Sequence, residues 1–217
     1  MTTICGIDEA GRGSVIGPLV IAGVLINEND EQKLKEMGVK DSKLLTPKQR
    51  EDLFDKVISA VKEYRILIIE PSEIDEAVLG PKEMNLNWLE ADKSAEIINF
   101  LKPDKAILDC PSNNISSYKS YVLKKVKDVE IIAEHKADMN YPSVAAGSIL
   151  AKVTRDREIE KIKAKIGADF GSGYPSDPLT AKFVEKNFKK YPEIFRKSWE
   201  TFRRSADKKK QKKLGDF

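Results

Sequence analysis

The sequence predicts an α/β fold: a mixed β-sheet flanked by helices, followed by a helical C-terminal extension. Three observations predict it. Short apolar runs of β type come first and alternate with stretches of helical periodicity, and helices dominate the end. The first two β runs are separated only by a Gly-rich connection, which suits an antiparallel pair. The stretch from Gly167 to Gly173, where Gly171 and Gly173 bracket Ser172, is the one candidate boundary. It divides the chain into residues 1–167, which carry the sheet, and residues 168–217, the extension.

Thr3 to Ile7 is the first strand and ends in Asp8-Glu9. Leu19 to Ile26 is the second, after a turn containing Gly11, Gly13 and Gly17. A helix opens at Thr46, because Pro47 suits the first helical position and Gln49 completes a Thr-x-x-Gln capping box. Its apolar stripe is Leu53, Phe54, Val57, Ile58 and Val61. Arg65 to Ile69 reads as a strand buried on both faces. Ser72 is expected to cap a short helix, and Glu83 to Phe100 suits a longer one. Ala106-Ile107-Leu108 is a brief strand ending in Asp109, and Ser116 to Val126 reads as helix. Val129 to Ala133 is another strand, with Asp138 shortly after it. Pro142 to Lys165 is a long helix whose stripe is Ala146, Ile149, Leu150 and Val153. Asp177-Pro178 opens a further helix, and Pro192 to Phe217 is helical at first and then strongly basic.

Composition excludes several classes. A net charge of +3 means that any nucleic-acid site must come from local clustering of basic groups. Two cysteines, Cys5 and Cys110, and one histidine cannot build a tetrahedral zinc site without carboxylates. Both thiols read as reduced, which places the chain in the cytoplasm. The start has no basic segment followed by an apolar one, and no run approaches the ~18 apolar residues of a membrane span. Nothing in the sequence requires an obligate dimer, so a monomer is expected.

Acids close three of the β runs: Asp8-Glu9, Asp109, and Asp138 a few residues beyond the last. Strand ends on one side of a sheet are where distant acids converge. Crowded carboxylates stay ionised only if cations compensate them. Hard divalent ions with oxygen ligands do so, and two ions about 3.5–4 Å apart clamp the attacking water and the leaving oxygen of a phosphodiester. Acids after strands also serve as turn and cap residues, so spacing alone leaves both readings open. Glu9 joins the others only if the chain turns there, since neighbours on a regular strand face opposite sides.

Gly6-Ile7-Asp8-Glu9-Ala10-Gly11-Arg12-Gly13 resembles the opening motif of ribonuclease HII. The likeness continues at Asp41-Ser42-Lys43, at Asp109, at His135-Lys136-Ala137-Asp138, at Tyr141-Pro142, at Ala151-Lys152-Val153 and at Arg155-Asp156. Gly171-Ser172-Gly173-Tyr174-Pro175-Ser176-Asp177-Pro178 is similar to the archaeal and eukaryotic branch. The resemblance implies a ribonuclease H-like sheet, with Asp8, Glu9, Asp109 and Asp138 as catalytic acids binding two Mg²⁺ or Mn²⁺ ions. It also implies cutting of the RNA strand of RNA–DNA hybrids, and nicking 5′ of ribonucleotides embedded in duplex DNA, with 5′-phosphate and 3′-hydroxyl ends. The chain departs from the family at Ser14, where Pro is frequent, and at Gly147 and Cys110, where Ala is frequent. None of these removes an acid, but Gly147 is expected to loosen the long helix by up to ~1 kcal/mol relative to Ala.

Telling RNA from DNA requires sensing the 2′-hydroxyl. Gly11-Arg12-Gly13 alone reads as a tight turn; with the resemblance it is expected to bring backbone N–H and C=O groups to the sugar. Tyr174 alone reads as a loop anchor; the resemblance puts its ring beside the ribonucleotide. Lys43, Lys152 and Arg155 are candidate phosphate contacts. Ser148, Lys152 and Arg155 share one side of the long helix, where a solvated face is the alternative. His135 is expected to be structural, and the cysteines small core residues.

The tail is basic and closes with Gln211, Leu214 and Phe217 at the spacing of the short motif that docks enzymes on a PCNA-type sliding clamp. Leu214 and Phe217 then share one side of a 3₁₀ turn, although the usual second terminal aromatic is missing. Two other readings compete. Ribonuclease HIII shares the fold and acids but usually carries an N-terminal domain, for which the few residues before Gly6 leave no room. A non-catalytic hybrid-binding or clamp-adaptor module would usually have lost an acid.

Overall fold

The computed structural model describes residues 1–39, 45–80 and 84–214, with side chains up to residue 207. Its five-stranded sheet has the order β3-β2-β1-β4-β5. β1 (Thr3–Ala10) and β2 (Leu19–Asn27) pair antiparallel from Thr3↔Asn27 to Ala10↔Val20, as the short connection predicts. β4 (Lys105–Asp109) runs parallel to β1, and β5 (Glu130–Glu134) parallel to β4. β3 (Glu63–Ile69) is the edge strand beside β2. It was expected to be buried on both faces, yet Tyr64 and Ile68 are exposed and Ile69 alone is buried. As an edge strand it pairs on one side only, and the Arg65 guanidinium lies 4.8 Å from the centre of the Phe100 ring.

The helices follow local signals with some shifts. A short α1 (Glu31–Glu36), not foreseen, buries Leu34. α2 (Pro47–Ala60) opens on the predicted Thr46/Gln49 capping box. α3 (Pro71–Leu79) is capped at Glu70 and not by Ser72, because Pro71 takes the first helical position. α4 is Leu86–Leu101 and α5 is Ile115–Leu123, the latter capped by the Asn114 side chain. α6 (Ala137–Asn140) is a single turn, α7 spans Pro142–Ile166, and α8 (Pro178–Asn187) is capped by Asp177 as predicted. α9 (Glu200–Leu214) begins well after Pro192. The intervening backbone is spent elsewhere: Arg196 N–H donates to Val15, Gly17 N–H donates to Ile194, and Phe195 bridges Ile16.

The chain divides into two compact units. The first contains residues 1–10, 20–68 and 86–154. Its main core packs one face of β1 and β2 (Ile4, Val20, Ala22, Val24) against Leu53, Phe54 and Val57 of α2 and Val144, Ala145, Ile149 and Leu150 of α7. Two glycines let the helix lie directly on the sheet. A Cβ on Gly6 would collide with the Ser143 backbone, and one on Gly147 would come within 2.9 Å of the Ala22 carbonyl oxygen and 3.1 Å of that of Gly6. The expected penalty at Gly147 is therefore offset, because an added methyl would push α7 away from β1.

The second unit contains residues 11–19, 69–85 and 155–217, and the expected 168–217 extension lies wholly inside it. Its core is aromatic: Phe170, Phe183, Phe188 and Phe195 pack with Val15, Ile16 and Ile159.

Candidate active site

Strand register brings three of the sequence-predicted acids together. Ile7 pairs with Leu108, so Asp8 and Asp109 leave adjacent parallel strands side by side. Asp109 pairs in turn with Glu134 at the end of β5, and the chain then turns through left-handed Lys136 (φ +58°) into α6, whose first turn carries Asp138. Carboxylate oxygens of Asp8, Asp109 and Asp138 lie within 4.8 Å of one another. The Ala137 N–H donates to Asp109 at 3.2 Å. Asp8 accepts from the Glu9 N–H at 2.7 Å and from the Ser148 hydroxyl.

Electrostatics suit this pocket to a cation. Asp8 and Asp138 are 6% and 3% exposed. Burial, together with the charges of Asp109 and Asp138, pushes the Asp8 carboxyl up from 3.8 to about 7, against the two hydrogen bonds that favour its ionised form. A hard divalent cation satisfies such a donor set, since it prefers carboxylate oxygen and neutralises the repulsion. Burial also pushes the Cys5 and Cys110 thiols up, as suits buried, uncharged core residues.

Glu9 is not among the three acids whose carboxylate oxygens lie within 4.8 Å of one another. β1 continues regularly to Ala10, and the register Glu9↔Ile21 turns the side chain to the opposite face. The chain turns just beyond, at Gly11 (φ +86°). The Glu9 charge acts on Cys110, which also feels Asp109, and on Tyr118; both also feel Glu90 of α4. Glu90 is 1% exposed and was not foreseen; its one sequence signal is a charge inside an apolar helical stripe.

The predicted sugar-reading elements meet in the second unit. Val15 and Ile16 N–H both donate to the Gly173 carbonyl, joining the Gly11–Gly17 loop to the Gly171–Tyr174 loop. Gly13 is exposed, and a Cβ there would lie 3.9 Å from the Tyr174 ring. The Gly171–Tyr174 loop is built from side-chain caps. Asp177 accepts from Ser172 N–H, Thr180 Oγ1 accepts from Gly173 N–H, and the Thr180 hydroxyl donates to Phe170 C=O.

The remaining predicted residues are placed differently. Lys43 lies outside the described residues. Lys152 is half-buried, as is Arg12. Ser148 is 4% exposed and bound to Asp8, so its side chain is turned inward. Arg155 is 2% exposed, which excludes the solvated-face alternative and closes the position to a phosphate approaching from solvent. His135 Nδ1 lies 2.8 Å from the Cys110 carbonyl, so Nδ1 carries the proton and donates, a bond that ties β5 to the end of β4. Gln211 and Leu214 fall in the last turn of α9, and Phe217 lies outside the described residues. Sequence reasoning missed Arg196. Fully buried, it donates from Nε to Gly17 C=O at 3.1 Å and from Nη1 to Arg12 C=O at 2.9 Å, and so holds both ends of the glycine loop.

Comparison with known proteins agrees with this geometry. Residues 5–202 match the sequence profile of ribonuclease HII. A ribonuclease HII of Pyrococcus horikoshii is 46% identical over 97% of this chain and 96% of its own length. The crystal structure of ribonuclease H2 from Pyrococcus horikoshii superposes with a TM-score of 0.87 at 45% identity, covering 97% of this chain and all of that one. The ribonuclease HII in a PCNA:RNase HII complex from Archaeoglobus fulgidus superposes with a TM-score of 0.82 at 41% identity, covering 91% of this chain and 95% of that one. The profile match, the identity along almost the whole length and the shared fold lead to one conclusion: the chain belongs to the ribonuclease HII family, the metal-dependent endonucleases of the ribonuclease H-like fold.

Proposed function

We propose that the chain hydrolyses the RNA strand of RNA–DNA hybrids and nicks duplex DNA on the 5′ side of embedded ribonucleotides, leaving 5′-phosphate and 3′-hydroxyl ends. The observation that carries this reading is the buried cluster of Asp8, Asp109 and Asp138 at neighbouring strand ends. These three acids, with Glu9 as the fourth by family likeness, would hold two Mg²⁺ or Mn²⁺ ions. Such a pair would lower the pKa of an attacking water and neutralise the charge on a leaving oxygen. The protein's own task is positioning. The Ser148 hydroxyl and Glu9 N–H orient Asp8, and the Ala137 N–H orients Asp109. Gly11, Arg12 and Gly13 offer backbone groups to the 2′-hydroxyl, and Tyr174 packs on the sugar. Lys43 and Lys152 are assigned to the phosphates, with no base preference.

The test is a duplex carrying a single ribonucleotide, incubated with Mg²⁺ or with chelator. Cutting 5′ of the ribonucleotide in Mg²⁺ only is expected; cutting of all-DNA duplex at the same rate would remove the assignment.

A second part of the proposal concerns the tail. An Archaeoglobus fulgidus relative is seen in complex with PCNA, and the present tail carries Gln211, Leu214 and Phe217 at the spacing of a clamp motif. We assign these residues to docking on a PCNA-type clamp, with the last turn of α9 reshaping into the 3₁₀ plug. Deleting residues 211–217 should leave cutting of naked substrate intact and abolish clamp pull-down. Retained clamp binding would refute it.

A further inference from the structure

We infer that Arg155 is a positioning residue that sets the pose of Tyr174 against the glycine loop. The inference rests on the proposal that Tyr174 and Gly11–Gly13 read the sugar. The Arg155 guanidinium is enclosed on several sides. Its Nη2 donates to the Ser172 carbonyl at 2.6 Å, and its Cζ lies 4.8 Å from the centre of the Tyr174 ring. Its Nη1 lies 3.3 Å from the Asp156 carboxylate.

Two glycines make room for it. A Cβ on Gly11 would come within 3.2 Å of Arg155 Cγ and 3.3 Å of Nε, and a Cβ on Gly173 would come within 3.0 Å of Nη2. Arg155 therefore lies against Gly11 in one loop and against Gly173 and Tyr174 in the other. The ring it supports faces Gly13.

The chemistry calls for arginine specifically. A planar guanidinium stacks on a ring and donates in its own plane at the same time, which a lysine ammonium cannot do. Burying this cation costs free energy, and Asp156, the acid beside it, is itself partly exposed. A surface contact for phosphate would not need that burial. The charge is used to lock the loop that carries the ring. The loop bearing Tyr174 has left-handed glycines at Gly171 and Gly173 (φ +76° and +82°), so it is held by its hydrogen bonds, from Arg155 as well as to Asp177 and Thr180, and not by backbone stiffness.

The experiment measures kcat and KM for wild type, Arg155→Met, Arg155→Lys, Tyr174→Ala and the Arg155→Met/Tyr174→Ala double variant. Two substrates are used, a duplex with one ribonucleotide and a long RNA–DNA hybrid, across a KCl series, with thermal melts confirming that each variant is folded. Arg155→Met and Arg155→Lys should each lower kcat on the single-ribonucleotide duplex by about tenfold to a hundredfold, the usual cost of a mispositioned reading group. The double variant should be no worse than the worse single variant, because both changes disable one unit. The salt dependence of KM should stay at the wild-type slope.

Multiplicative losses in the double variant would overturn the inference. So would a flatter salt slope in Arg155→Met, which marks a lost phosphate contact, or full activity in Arg155→Lys. Equal losses of Tyr174→Ala on both substrates would instead count against sugar reading, while the additivity test on the hybrid still decides the role of Arg155. If Arg155→Met does not fold, Arg155→Lys combined with Tyr174→Ala decides additivity.

Discussion

Replacing Asp8 with Asn should make the metal-free protein more stable at alkaline pH while abolishing cutting. Asp8 has a folded pKa of about 7 against 3.8 for a free carboxyl, so the folded state binds its proton more tightly than the unfolded chain. A group shifted upward contributes stability below its unfolded pKa and loses it as pH rises through the folded one. Between pH 4 and 7 the metal-free wild type therefore weakens progressively. About three pKa units at ~1.4 kcal/mol each set a ceiling of about 4 kcal/mol above pH 7. Asn removes the charge but also weakens the bonds from Glu9 N–H and Ser148, which reduces the gain to roughly 1–3 kcal/mol. For a chain of this size that is a rise in Tm of about 3–10 °C. The assay is thermal melting of chelator-treated wild type and Asp8→Asn from pH 5 to pH 9. The variant should melt higher at pH 8–9, and the gap should close toward pH 5. Saturating Mg²⁺ should raise the Tm of wild type far more than that of the variant, because binding to the native state stabilises by mass action. A variant that melts below wild type at pH 9 in chelator would refute the claim that burial and acid–acid repulsion dominate the pocket.

Other perturbations follow from the same geometry. Ser148→Ala removes a hydrogen bond that holds the Asp8 carboxyl down, so the acid limb of the pH–rate profile should move to higher pH; an unmoved limb would count against that bond. Gly147→Ala should lower Tm despite the better helix propensity of Ala, by about 1–3 kcal/mol of overpacking, because the methyl meets the Ala22 and Gly6 carbonyls; a higher Tm would show that α7 can shift freely. Tyr174→Ala should cut turnover on single embedded ribonucleotides far more than on long hybrids, and equal losses would count against a sugar-reading ring.

How much of this was legible in the sequence depends on the range of the interaction that decides each residue. The Thr46/Gln49 box and the Asp177 cap are set within one turn of chain, and both stand where the sequence places them. Asp8 and Asp109 were legible because they close apolar runs, and strand pairing carries such positions to one edge without further information. Glu9 depends on more than its own strand: β1 runs on regularly to Ala10, and the turn follows at Gly11. β3 illustrates the converse error, since an apolar run states that a strand has two greasy faces but not that both will be covered.

Buried arginines are the least legible of all. Helical spacing puts Ser148, Lys152 and Arg155 on one side of a helix, but spacing is blind to what lies over that side. Ser148 meets a carboxylate and Arg155 meets a ring and a carbonyl, partners drawn from segments far away in sequence. A cation survives burial only where such partners already exist, so the loops at Gly11–Gly17 and Gly171–Tyr174 must be formed for Arg155 and Arg196 to be tolerated at all. The loops in turn lean on those two side chains, since Arg196 binds the Arg12 and Gly17 carbonyls and Arg155 binds that of Ser172. That mutual dependence predicts cooperative ordering. A change in either arginine should loosen the glycine loop and increase its hydrogen exchange, while amides of β4 and β5, which pair only with other strands in the first unit, keep their protection. Uniform loss of protection through both units would show instead that the arginines support global stability and not the loop.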